Sequence, residues 1–212
     1  MPNAPASTEA PITQALLEKH RYANVEHFNW WDHVEDCLID EMRRKGFTVN
    51  EMYFSGFSSQ GDGACFTGYV SNWTRFLVAC GLKNRALVDL ANRCWQLTVH
   101  HSGPYYHSHS IGLEGDTPLP EESIDEEFLC YHVPSGWAAD DIRAHAWCIE
   151  LNQFSAAQVE LAMLEFLRGR MGKLYRNLEE EYTYLTSDEL VEEYLRDNPH
   201  LIEEEEDTLT TC

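Results

Sequence analysis

The chain has 212 residues, enough for one domain in which folding buries roughly 70% of the unfolded surface. Its 36 acids against 15 Lys and Arg leave a net charge of −21, which excludes a phosphate-tracking basic groove and so direct nucleic-acid binding. No stretch approaches the ~18 apolar residues of a membrane span, and the first ten residues have neither the basic nor the apolar region of a secretory leader. The 7 cysteines contain no CxxC pair and sit mostly in apolar segments, which reads as buried, reduced thiols of a soluble cytoplasmic protein.

In chain order, residues 1–10 read as a flexible arm, followed by one α+β domain over 11–198 and an acidic, disordered tail over 199–212. Residues 11–24 can form a first helix with Leu16, Leu17 and Tyr22. A second helix starts at Asp32, where Glu35 completes a capping box, and ends before Gly46. Its apolar stripe is Val34, Cys37, Leu38 and Met42. Two short aromatic and β-branched runs follow at 51–57 and 64–70, joined by SSQGDG, and Asp62-Gly63 marks a hairpin turn. Helices are expected at 72–80 and 84–95, then a second hairpin over 96–115 broken at Ser102-Gly103-Pro104. Residues 116–127 read as an exposed acidic connection and 125–133 as a short helix. The last third reads as a long helix over 156–184 capped by Ser155, then a helix to about Asp197 whose capping box is Thr186 with Glu189.

Two hairpins with helices between them predict one antiparallel sheet of about four strands, with helices on one face and a long C-terminal helix. Charge is uneven along this plan. Residues 176–212 hold 13 acids and 2 bases.

The stretch FSGFSSQGDGACFTG, residues 54–68, resembles a recurrent motif of small bacteriophage and prophage proteins, FSGFxSQGDGAxFxG. Two further pieces carry the likeness. One is HSGPYYHSHSIGL, where the family reads Arg at the position of Pro104; the other is LEEEYTYLTSDELVEE. Members are described as hypothetical or antitoxin-like proteins. The resemblance implies a phage origin and a host-directed role in the host cytoplasm, and it carries no reaction.

Charge and resemblance together favour a non-enzymatic protein that binds and inhibits or modulates a host protein with a basic surface, as a counter-defence factor, an antitoxin or a nucleic-acid mimic. Glu179, Glu180, Glu181, Asp188, Glu189, Glu192 and Glu193 would form the contacts, with Ser58, Ser59, Gln60 and Asp62 adding hydrogen bonds. The bland reading of the loop is a turn in which Asp62 bonds its own backbone. The other reading is a small hydrolase or nucleotide-binding protein whose site uses Asp62, His100, His107 and His109. A two-residue Gly103-Pro104 turn would set His100 opposite His107 and Thr98 opposite His109, gathering three imidazoles on one face. That face could serve acid–base chemistry, bind a metal, or be merely polar; no metal or other cofactor is expected. Cys65, beside the loop, is a weak nucleophile candidate, and Trp137 a candidate exposed anchor.

Overall fold

The computed structural model describes residues 11–26, 29–115, 131–138 and 142–202. The chain divides into two compact units, Met1–His33 with Leu178–Cys212, and Val34–Asn177. The expected arm at 1–10, the acidic stretch 203–212 and nearly all of the connection and short helix over 116–133 lie outside the described residues.

The larger unit is built on a four-stranded antiparallel sheet, β1 (Phe47–Phe54), β2 (Ala64–Val70), β3 (Thr98–His101) and β4 (Ile111–Glu114), in the order β1-β2-β3-β4. Strand β2 has the expected bounds, whereas β1 starts four residues earlier than the aromatic run suggested and stops at Phe54. The reason is a bulge. Val49 pairs with Gly68 and Glu51 with Thr67, so Asn50 is an extra residue. The bulge exchanges the faces of the strand. Phe47 and Val49 share a face with Met52 and Phe54, although their positions differ in parity.

One face of the sheet is apolar and covered. Phe47, Phe66, Val99 and Ile111 are buried on it. Helices α3 (Asp32–Arg44), α4 (Trp73–Ala79), α5 (Arg85–Cys94), α6 (Ile142–Leu151) and the first part of α7 (Ala156–Leu185) supply the rest of the core. Phe76 of α4 lies with its ring centroid 5.8 Å from Phe47 and 5.7 Å from Phe166 of α7. Asn72 and Asn84 cap α4 and α5 by accepting from the amides of Arg75 and Leu87, both at 2.9 Å. Ser155 and Gln158 form a reciprocal box at the start of α7, at 3.2 and 3.1 Å. Glu41 on α3 binds Arg170 at 2.7 Å and Lys173 at 2.8 Å on α7. Lys173, then Arg170, hold its carboxyl below the usual range against the opposing effect of burial.

The other unit is helical. The expected first helix is two pieces, α1 (Gln14–Lys19), capped by Thr13, and the single turn α2 (Ala23–Glu26). They join the last turns of α7 and helix α8 (Asp188–Asp197). Leu16 and Leu17 pack with Val191 and Leu195 in its core. Arg21 donates to the Thr186 carbonyl at 3.0 Å and pairs with Asp188 at 2.5 Å. The cap of α8 is Ser187, not Thr186. The Leu190 amide donates to the Ser187 hydroxyl at 3.4 Å, while the Thr186 hydroxyl turns back to the Tyr182 carbonyl at 2.8 Å.

Two expectations about side-chain burial are revised. Cys37, placed in the α3 stripe, is exposed, because the buried positions are Val34, Leu38 and Met42. Trp137 is half-buried, with the Arg143 guanidinium 5.1 Å from its ring centroid. No helix among the described residues is long and apolar enough to cross a membrane.

Candidate functional site

The SSQGDG loop is first of all a closed turn. The Asp62 carboxylate accepts from the Ser59 amide at 2.6 Å and the Ser58 amide at 2.7 Å. Gly63 and Ser55 close the base of the loop, the Ser55 amide donating to the Gly63 carbonyl and the Gly63 amide to Ser55 Oγ, both at 3.0 Å. The Ser59 amide contributes most to holding the Asp62 carboxyl below the ordinary carboxylate range, with Ser58 adding to it. Of the four loop residues proposed as contacts, Asp62 is therefore spent largely inside the loop. Ser58, Ser59 and Gln60 are exposed.

The second hairpin differs from the expected register. His100 pairs with Gly112, His101 with Ile111 and Thr98 with Glu114, leaving 102–110 as a nine-residue excursion in place of a two-residue turn. His100 does not oppose His107, and Thr98 does not oppose His109, so the three-imidazole face is not formed. The Gly103-Pro104 signal marks where β3 ends, but alternating apolar residues resume only at Ile111 and Leu113. Among the described residues no group of three His, Cys, Asp or Glu is arranged to hold a metal.

The excursion instead folds onto the SSQGDG loop. A Cβ on Gly61 would sit 3.4 Å from the Tyr105 ring, and one on Gly63 only 2.6 Å from the Tyr106 carbonyl oxygen and 2.7 Å from His107 Nδ1. Gly63 is thus there for close approach, whereas Gly61 makes only ordinary van der Waals contact, and the two motif-bearing hairpins meet at them. His107 also lies with its ring centroid 5.9 Å from that of Tyr105, while His109 is exposed. Cys65 is fully buried in β2, and burial pushes its thiol up to about 11, which removes it as a nucleophile at neutral pH.

A feature that alternation alone does not reveal lies beside this junction, where the excursion leaves β3. The bulge in β1 turns Glu51 and Tyr53 to the side shared by Thr67 and His100. There they line an open concavity of about 490 Å³ with His101 and Tyr106. The rings of Tyr53, His101 and Tyr106 are in mutual contact, with centroids 5.2 to 5.8 Å apart, and Tyr53 and Tyr106 are nearly parallel at 14°. The Tyr53 hydroxyl donates to Glu51 Oε2, and that bond to a carboxylate raises the phenol's pKa. His101 Nε2 lies 2.9 Å from the Tyr105 carbonyl oxygen, which can only accept, so Nε2 carries the proton. The available signal was the parity switch in FTVNEMYF, where apolar positions 47 and 49 give way to 52 and 54 across Asn50.

The seven acids fall in the helical unit. Asp188 is tied to Arg21, and Glu192 pairs with Arg196 at 2.7 Å. Glu180, Glu189 and Glu193 are exposed; Glu179 and Glu181 are half-buried. Among the described residues, no ion pair is formed by Glu179, Glu180, Glu181, Glu189 or Glu193.

Comparison with known proteins adds a family but no activity. No curated protein and no solved structure matches the chain. The family model described as "Domain of unknown function (DUF8835)" matches residues 30–188, three quarters of the length. The span takes in both hairpins, their shared glycine junction and the whole of α7, and on that extent the chain belongs to the DUF8835 family.

Proposed function

We propose that this protein works by binding: it docks through an acidic surface on a basic surface of another protein and inhibits or retunes it. The observation that carries this reading is the distribution of charge. The segments Met1–His33 and Leu178–Cys212, which make up the helical unit, hold 17 of the 36 acids and 3 of the 15 bases, a net −14 in 68 residues. A field of that density steers a basic partner and repels nucleic acid itself. Five of the seven acids on the end of α7 and on α8 form no ion pair among the described residues, so their charge is available to an outside partner.

The motif likeness supports a finer version. In it the protein is phage-encoded, acts in the host cytoplasm, and targets a host protein that handles nucleic acid, the acidic surface standing in for the polynucleotide. The hydrolase reading is weaker on geometry. His100, His107 and His109 do not share a strand face, Asp62 is bonded within its loop, and Cys65 is buried.

The test is capture of partners from a bacterial lysate at low and high salt. It uses the natural chain and a variant with Glu179, Glu180, Glu181, Glu189, Glu192 and Glu193 changed to Gln and Asp188 to Asn. The expected result is a stoichiometric partner with a basic surface, bound at least tenfold more weakly at high salt and by the variant. Binding that ignores both changes would sink the proposal.

A further inference from the structure

We infer that the concavity lined by Glu51, Tyr53, His101 and Tyr106 is a receptor for an arginine side chain presented by a partner. The argument begins with what the walls offer. Tyr53 stacks on Tyr106 and on His101, with these two tilted at 43°, to make an aromatic wall, and Glu51 stands beside it as the single carboxylate of the lining among the described residues. Among the described residues no Lys or Arg lines the concavity and Glu51 makes no ion pair. The site is therefore short of one positive charge. A phosphate or carboxylate ligand would meet Glu51 as a like charge, and a neutral ring would stack but leave that carboxylate unmatched.

Shape selects among cations. A wall of flat rings, with Tyr53 stacked on both neighbours, suits a flat cation, which lies against a ring face while its edge points at the carboxylate. Guanidinium does both, whereas an ammonium is a compact point charge that cannot stack. The Tyr53 hydroxyl occupies one lone-pair direction of Glu51 Oε2 and fixes the carboxylate in place, leaving Oε1 to accept from the guanidinium edge. His101 is fixed likewise by its bond to the Tyr105 carbonyl, so the wall is formed before any ligand arrives. The bulge at Asn50 is what brings Glu51 to this side.

This site belongs to the sheet unit and does not rest on the acidic helices. The experiment is calorimetric titration of the full chain with a peptide of alternating Gly and Arg, and with its Lys and citrulline counterparts. It is run at a salt concentration that screens long-range attraction to the −21 chain. The arginine peptide is expected to bind at least fivefold more tightly than the lysine peptide, and the citrulline peptide not to bind. Glu51→Gln, a change at an exposed position, is expected to abolish the arginine preference, and Tyr106→Leu to reduce arginine affinity at least fivefold. The variant lacking the seven helical acids is expected to keep the preference. Equal binding of the arginine and lysine peptides, a preference that survives Glu51→Gln, or one lost with the helical acids would each overturn the inference.

Discussion

At the scale of single residues, the second glycine of the SSQGDG loop shows how packing, rather than turn conformation, can demand Gly. Gly63 has no room for a methyl group, because a backbone oxygen, which cannot swing aside, lies 2.6 Å from where Cβ would be. Gly63→Ala should therefore lower stability by about 1–3 kcal/mol, measured by urea unfolding. Gly169 is the opposite case. It lies inside α7 with nothing within 4 Å of a Cβ, so Gly169→Ala should raise stability by about 0.5–1 kcal/mol. Asp62 makes a pH prediction. Its folded pKa is held below the ordinary value near 3.8, so its contribution is present above that value and disappears as pH falls through the lower folded one. Relative to Asp62→Asn, the natural chain should lose stability as pH falls below the ordinary carboxylate value, and the two unfolding curves should converge at the acid end. The turn itself was legible in Asp-Gly, and its internal bonding to Asp62 was the bland alternative to a recognition role. The contact between the hairpins was not legible, since it depends on where 105–107 lands after a nine-residue excursion.

Among elements, legibility followed the locality of the signal. Helices α4 and α5 were readable to within a residue, because an Asn cap and an apolar face lie within one short segment. Strand β2 was readable for the same reason, as a short run of aromatic and β-branched residues after Asp62-Gly63. Strand β1 was misplaced because its bulge breaks the period-2 pattern by which a strand is recognised. The start of α8 was misplaced by one residue, since Thr186 and Ser187 both offer a hydroxyl and only the backbone path decides between them. Ser187→Ala should cost about 1 kcal/mol, whereas Thr186→Ala, which removes no cap, should cost less than half of that; thermal unfolding of the two variants checks the order. If Thr186→Ala proves the more damaging, the cap assignment is wrong.

For the whole molecule, the sheet needs only near neighbours in sequence, each strand pairing with the next. The helical unit needs the reverse. Leu16 and Leu17 have their packing partners at Val191 and Leu195, and Arg21 finds its acceptor at Thr186, 165 residues away. That pairing is invisible to local patterns, which is why the sequence reads as one domain between an arm and a tail. It also predicts that Arg21→Ala lowers the stability of the helical unit, seen as earlier amide exchange in α1 and α8 than in β1–β3. During synthesis the first helix must wait for most of the chain. At typical translation speeds the interval between Leu16 and Val191 is roughly 9 to 35 s, during which Leu16 and Leu17 lack their partners on α8. The acid-dense surface thus assembles only after α8 leaves the ribosome, and a chain broken off before residue 188 carries neither that helix nor its charge. Under the proposed docking role, fragments that stop short of α8 lack the surface that would compete for a basic partner.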